Sequence, residues 1–136
     1  MKHTENLCVF LTGSVIYGIV EMLWRGYTHW SMVISGGFCF LVMHIFDGRI
    51  KRAGLITKCL FGCAVITAVE LAVGIAVNLW LKLDVWDYSR MRWNLFGQIC
   101  PTYSVLWFLI SVPAFFLSRT VRKFFRLIED GERGGA

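Results

Sequence analysis

The chain is dominated by four apolar runs, each long enough to cross a lipid bilayer. They cover residues 7–24, 30–46, 55–81 and 101–118. A hydrocarbon core about 30 Å thick needs about 20 apolar residues of α-helix, and only helices and closed barrels satisfy every backbone polar group there. Four such runs could not all hide inside one core of 136 residues. The sequence therefore predicts an all-α, polytopic membrane protein: a bundle of four transmembrane helices forming one domain, residues 1–136.

The composition agrees with a membrane protein and disfavours other classes. Hydrophobic residues make up 57% and charged residues 17%, against about 25% charged in ordinary soluble domains. The net charge of +5 could indicate nucleic acid, but the basic residues lie between and after the apolar runs, so membrane lipid is the expected partner and nucleic acid is not. The five cysteines form an odd set within or beside the runs, and neither a disulfide framework, a metal site nor a cofactor is predicted.

Basic residues are distributed unevenly between the two ends of such a bundle. Most of the 14 Lys and Arg fall at the end that carries both termini and the second loop, and short loops rich in these residues stay cytoplasmic. They are Lys2, Arg49, Lys51, Arg52, Lys58, Arg119, Arg122, Lys123, Arg126 and Arg133. We expect a multi-pass plasma-membrane protein with both termini in the cytoplasm and residues 83–101 outside.

The segment after the fourth run changes character. In residues 119–128, Val121, Phe124, Phe125 and Ile128 share one helical face and basic side chains occupy the other. This pattern is typical of an amphipathic helix that lies in the membrane interface. A dock for a partner protein is the alternative.

Two glutamates interrupt the apolar runs and must face protein or water, because an ionised carboxylate in hydrocarbon costs at least about 2.5 kcal/mol. Glu70 lies roughly 15 Å below the end of its helix at 1.5 Å per residue. Gly74 and Asn78 follow it on the same helical face. This stripe indicates contact with an ion, a proton or a solute, or close helix packing around a hydrogen-bonded acid.

Glu21 lies nearer the membrane surface, one turn from Arg25, and either an ion pair or a binding role explains it. Gly13, Ser14 and Gly18 form a small-residue face on the same helix. Such a face lets another helix approach closely. We expect it to pack on the polar side of the third helix.

The stretch before the fourth helix is unusually polar. Pro101 predicts that a straight helix begins there, which leaves residues 92–100 as a broken or dipping segment carrying Asn94 and Gln98. Irregular backbone at membrane depth survives only against protein or a wet cavity. Broken helices beside intramembrane acids build solute sites in transporters; a structural cap over the bundle is the alternative.

Aromatic and acidic residues lie just before this segment and at its start. Asp87 is expected to bond local backbone N–H groups, and Trp86, Tyr88 and Trp93 suit a belt at the lipid headgroups. An aromatic rim over carboxylates could also hold a cation by its ring faces.

Three stretches, VEMLWRGYTHWSMVISGGFCF, AVELAVGIAVNLWLKLDVWDYS and NLFGQICPTYSVLWF, resemble a bacterial family of small membrane proteins labelled "putative ABC-transporter permease, type IV". The resemblance covers roughly residues 13–117. Arg92 and Trp93 depart from it, since the family has proline followed by phenylalanine there, and Pro101 replaces an aliphatic residue. The motif positions are Glu21, Arg25, Gly26, His29, Trp30, Gly36, Gly37, Glu70, Gly74, Asn78, Trp86, Asp87, Tyr88, Ser89, Asn94, Gly97, Gln98 and Cys100.

The resemblance implies a bacterial transporter component without naming a substrate. The sequence contains no G-x-x-x-x-G-K-[ST] motif, so an ATP-driven role needs a separate nucleotide-binding partner. Four helices are few for a whole permease, which favours a homo-oligomer or a larger membrane complex.

Two functions follow, and an enzyme is not expected because no nucleophile and base stand at a recognisable spacing. The first is a transporter or permease-like component that binds a small solute or cation in an outward-facing polar cavity. The second is a scaffold or regulatory subunit in which the same polar groups only lock helices together. The candidate binding residues are Glu21, Glu70, Asn78, Trp86, Asp87, Tyr88, Asn94 and Gln98.

Overall fold

The computed structural model describes residues 2–135 and contains four long helices. They are α1 (Lys2–Arg25), α2 (Trp30–Arg49), α3 (Leu55–Gly74, continued by π-helical turns Ile75–Trp80) and α4 (Pro101–Gly134). Among the described residues the only β-type pairing is one isolated bridge, Leu95 to Ile99. The predicted all-α, four-helix architecture is confirmed.

All four helices are long and apolar enough to cross a membrane. The shortest has 20 residues, which corresponds to about 30 Å of helix. Their outer faces expose large apolar side chains, such as Leu23 and Ile56, which are 83% and 70% exposed. Apolar surface of this extent is stable against lipid and would drive association in water. The chain is a multi-pass membrane protein.

Helices α1, α2 and α4 extend beyond their apolar runs, whereas α3 begins at Leu55 as predicted and its π-helical turns end at Trp80. Both α1 and α2 extend beyond the predicted spans, to Lys2 and Arg49. Hydropathy marks only the part of a helix in hydrocarbon, whereas its backbone hydrogen bonds continue into the interface. The predicted amphipathic segment 119–128 likewise continues α4 directly, and α4 begins at Pro101 as expected.

The bundle has two distinct ends. At the end that we call the basic end, His44 near the end of α2 bonds to Glu5 near the start of α1 and to Ser118 of α4. At the opposite end, which we call the Trp-rich end, Arg25 of α1 bonds to Tyr88. The termini and the loop after α2 therefore share one end.

Helix α1 packs mainly on α2, and α3 packs mainly on α4. A Cβ atom added to Gly13 of α1 would lie 2.6 Å from Cβ of Phe40, and one added to Gly36 of α2 would lie 2.5 Å from Cβ of Tyr17. The expectation that the small face of α1 packs on the third helix is wrong. Glycines on α2 as well as α1 let these two backbones approach, and α3 offers no matching pair to α1.

Residues 81–100, which we call the re-entrant loop, fold back into the bundle. Val85, Trp86, Tyr88, Gln98 and Cys100 are buried. The two arms of the loop pair through a 2.7 Å hydrogen bond from the Tyr88 N–H to the Gly97 carbonyl. The dipping segment expected before helix four is therefore built from turns rather than from a half-helix, because its polar groups bond across the loop.

Candidate functional site

Gly74 of α3 makes room for the re-entrant loop. A Cβ atom at this position would lie 2.6 Å from Gln98 Oε1 and 2.9 Å from Trp86 Cζ2. Both distances are shorter than real Cβ contacts, so only glycine fits without displacing the loop. The gap expected beside Glu70 is thus filled by the chain itself.

Two predicted site residues, Asn78 and Gln98, clamp the loop to α3. Asn78 Nδ2 donates to Gln98 Oε1 at 2.7 Å, and the Val85 N–H donates to Asn78 Oδ1 at the same distance. Gln98 Nε2 donates to the Phe96 carbonyl at 3.0 Å. Both side chains are buried, and buried amides left without partners are costly. These amides therefore hold the loop in place.

Trp86 and Tyr88 belong to the loop and their rings are buried inside the bundle, so their expected place in a headgroup belt is wrong. The Trp86 indole N–H donates to the Gln98 carbonyl at 3.0 Å, and the Tyr88 ring stacks on Tyr103 with centroids 4.5 Å apart. Each ring carries one polar atom that finds a partner inside the bundle. Trp93 is 84% exposed, and its place in a headgroup belt stays a prediction.

Glu70 is buried and each of its carboxylate oxygens accepts a hydrogen bond. The Tyr88 hydroxyl donates to Oε1 at 3.0 Å, and the Trp107 indole N–H donates to Oε2 at 3.0 Å. A donor from the loop and a donor from α4 therefore meet on one acid of α3. This geometry satisfies the energetic requirement that the acid face protein.

Glu21 is buried on α1 and belongs to the same group of contacts. Tyr17 donates its hydroxyl to Glu21 Oε1 at 3.0 Å, and Arg25 Nε lies 3.4 Å from Oε2, the ion pair expected from their spacing. The Arg25 guanidinium also donates to the Tyr88 hydroxyl at 2.9 Å. One cation thus links the acid of α1 to the hydroxyl that binds Glu70.

We call this continuous set the carboxylate network. It consists of Tyr17, Glu21, Arg25, Glu70, Tyr88 and Trp107. Its members come from α1, α3, α4 and the re-entrant loop, so it joins elements that are distant in sequence.

Asp87 and Asn94 lie outside this network and shape the loop itself. Asp87 Oδ1 accepts from the Ser89 N–H at 2.9 Å and Oδ2 accepts from the Ser89 hydroxyl at 3.0 Å. These bonds favour the ionised carboxyl and lower the pKa of Asp87. Asn94 donates to the Ser89 and Met91 carbonyls and accepts from the Gly97 N–H.

A cavity of about 500 Å³ extends from Glu70 toward the basic end, between all four helices. Its lining is almost wholly apolar, and Glu70 is its one acid. Its lining residues Ile16 and Val20 of α1 and Pro113 of α4 are exposed, which places its opening sideways, at the seam between α1 and α4.

This cavity differs from the predicted polar, outward-facing one. Of the predicted site residues, Glu70 and Trp86 line it. Asn78 and Gln98 bond to each other, Glu21 bonds to Arg25, and Asp87, Tyr88 and Asn94 serve the loop or the network. The polar side chains have partners in the protein, so apolar side chains remain to line the open space.

Several functional contacts have no visible sequence signal. Trp107 lies in an apolar run, and nothing in the sequence around it indicates that its indole N–H donates to Glu70. His44 has no polar partner near it in sequence, yet it bonds to Ser118 at 2.8 Å and to Glu5 at 2.9 Å. Tyr17 does carry a signal, since it lies one helical turn before Glu21.

Within the described residues 2–135, no group of three or more His, Cys, Asp or Glu side chains is placed to share a metal ion. Four spanning helices, a re-entrant loop and a buried carboxylate network define a helical, multi-pass membrane protein. A family model described as "Putative ABC-transporter type IV" matches residues 8–131, which include the whole network. The chain belongs to this family, and the resemblance seen in its motifs is confirmed. No match was found among curated proteins or solved structures.

Proposed function

We propose that the protein is the membrane component of an ABC-type transporter and binds an amphipathic solute, with an apolar body and a cationic head, in the 500 Å³ cavity. The observation that carries this proposal is a single buried carboxyl group, Glu70, in the wall of an otherwise apolar space. Ligand sites of this size are commonly apolar with a few placed polar groups.

Glu70 has capacity for a ligand beyond its protein partners. Each of its oxygens accepts one hydrogen bond from the protein, and a carboxylate oxygen can accept two. Attraction between opposite charges is strong where water is excluded. The rings of Trp86 and Trp107, which also line the cavity, suit the apolar part of a cation.

The sideways opening suits a solute that partitions into lipid. Such a molecule would pass between α1 and α4 without crossing the Trp-rich end, which the re-entrant loop covers. The excess of basic residues supports cytoplasmic termini in a bacterial plasma membrane. A separate ATPase subunit would dock on that side, and the chain would serve binding rather than catalysis.

The test is equilibrium binding of tetraphenylphosphonium, an apolar cation, to the purified protein in lipid nanodiscs. We expect saturable binding by the parent and at least about tenfold weaker binding by Glu70→Gln, equivalent to about 1.4 kcal/mol. Asp87→Asn, which removes an exposed acid outside the cavity, is the matched control and should bind as the parent does. Tetraphenylborate, the anion of the same shape, should bind weakly. Equal binding by parent and Glu70→Gln contradicts the proposal.

A scaffold or regulatory subunit is the second candidate, and one observation favours it. Among residues 2–135, Ser14 Oγ is the only fully buried side-chain polar atom without a hydrogen-bond partner, so the polar groups are well used in holding the bundle together. In this case Glu70→Gln would leave cation binding unchanged and would instead weaken the association of the chain with other subunits. Native mass spectrometry of subunit composition on the same two variants separates these outcomes.

A further inference from the structure

A second cavity, of about 390 Å³, lies at the basic end between the close of α2, the start of α3 and the extension of α4. All of its lining residues are charged. They are Asp47, Lys51, Lys58, Arg119, Arg122, Lys123 and Arg126. We call this space the basic pocket; six cations meet one acid there.

The acid of the basic pocket already has a partner. Asp47 and Lys58 are 4% and 2% exposed and form a buried ion pair. Arg119 Nε lies further from the same carboxyl, at 3.9 Å. Within residues 2–135, Lys51, Lys123 and Arg126 form no ion pair with any acid. The pocket therefore carries uncompensated positive charge around a buried polar floor.

Arg122 is held in a fixed position at the wall of this pocket. Its Nη2 donates to the His44 carbonyl at 2.5 Å. Its guanidinium lies against Gly48 of α2, where an added Cβ would be 2.6 Å from Nη1 and 3.0 Å from Cζ. A guanidinium has five N–H donors, so most of these remain for a ligand. A positioned, planar arginine fork suits phosphate oxygens.

The pocket lies at the level of the lipid headgroups. Residues 101–118 of α4 already account for about 27 Å of helix, close to the thickness of the hydrocarbon core. The pocket residues of α4 follow within the next two turns. Beside them Phe116, Phe124 and Leu127 are more than half exposed, which gives an acyl chain an apolar surface next to the cations.

We propose that the basic pocket binds a phosphate group, carried by an anionic phospholipid of the leaflet at the basic end. The free guanidinium donors and the unpaired lysines neutralise the phosphate, and the exposed aromatic face of α4 receives the acyl chains. This inference is independent of the solute proposed for the other cavity, which lies between the spans.

The test is native mass spectrometry of the purified protein released from micelles containing equal amounts of phosphatidylglycerol and phosphatidylcholine. We expect the parent to retain phosphatidylglycerol in at least about tenfold preference. Lys123→Gln with Arg126→Gln should reduce that retention about tenfold or more, because the double variant removes two cations of the pocket. Both side chains are exposed and have no protein partner to lose, so the fold should be unchanged. Gly48→Ala should reduce it through displacement of Arg122, without any change of charge.

The charge-matched control removes two exposed cations at the same end but outside the pocket, Arg49→Gln with Arg52→Gln, and should change retention less than about twofold. A parallel arm adds inorganic phosphate to lipid-depleted protein. One outcome is saturable phosphate binding by the parent that Lys123→Gln with Arg126→Gln abolishes, together with no preference between the two lipids. This outcome would mean that the pocket binds the same anion from a soluble source. Equal retention by the pocket and control variants in both arms overturns the proposal.

Discussion

Glu70 is acceptable inside a membrane because two donors reach it from different elements. Neither donor is adjacent to it in sequence: Tyr88 comes from the loop and Trp107 from α4. That Glu70 must face protein follows from hydrocarbon energetics alone. The identity of the side chains that bond to Glu70 does not follow from these energetics, because an indole in an apolar run has many equivalent positions. The sequence predicts the acid of this site but not its partners.

At the residue scale, Asp87 gives a prediction about pH. The hydrogen bonds from Ser89 lower the pKa of Asp87 below its ordinary value of 3.8. A carboxyl with a depressed folded pKa stabilises the loop above the unfolded pKa, and this contribution is lost as the pH falls through the folded value. We expect a carboxyl titration followed by carbon NMR in micelles to show a midpoint below 3.8.

Ser89→Ala is the control for this titration, because it removes the hydroxyl donor and keeps the backbone N–H. The midpoint should then move back toward the ordinary value. A midpoint at or above that value in the parent would show that the two bonds from Ser89 are absent in solution.

At the element scale, the four helices are predictable and the path of the loop is not. Apolar runs report directly on which segments lie in lipid, and Pro101 marks where α4 can begin. The loop instead depends on tertiary contacts at Gly74 and on Lys82, Asp84, Trp93 and Phe96, which adopt left-handed backbone conformations. Such conformations are unfavourable for L-residues by roughly 1–2 kcal/mol each, and sequence patterns rarely reveal them.

Gly74→Ala tests whether the loop docks against α3. The added methyl group would overlap Gln98 and Trp86, so we expect the free energy of unfolding to fall by about 1–3 kcal/mol, as for other overpacked sites. Unfolding in mixed micelles, followed by tryptophan fluorescence, measures this loss.

Gly18→Ala is the matched control in another helix. A Cβ atom at Gly18 would lie 3.5 Å from Val33 Cγ2, an ordinary contact, and the change should be stabilising or nearly neutral. Equal changes in the free energy of unfolding for the two alanine variants would mean that residues 81–100 do not pack against Gly74.

At the scale of the whole molecule, the two ends of the bundle differ in the way they are closed. The basic end is held by buried pairs such as Asp47 with Lys58, and the Trp-rich end is covered by the re-entrant loop. The charge difference between the ends is visible in sequence because each loop contributes independently. The apolar cavity is not visible in sequence, because side chains from all four helices and from the re-entrant loop line it together.

We infer that the hydrogen bond from the Tyr88 hydroxyl to Glu70 holds the re-entrant loop inside the bundle. A double-mutant cycle of Glu70→Gln and Tyr88→Phe, read as free energies of unfolding in mixed micelles, tests it most directly. Because the two side chains are in contact, we expect a coupling energy of about 1 kcal/mol or more. The control pairs Glu70→Gln with Tyr27→Phe, a change at an exposed residue, and its coupling energy should be near zero. Effects of the first pair that add within about 0.5 kcal/mol would contradict the claim.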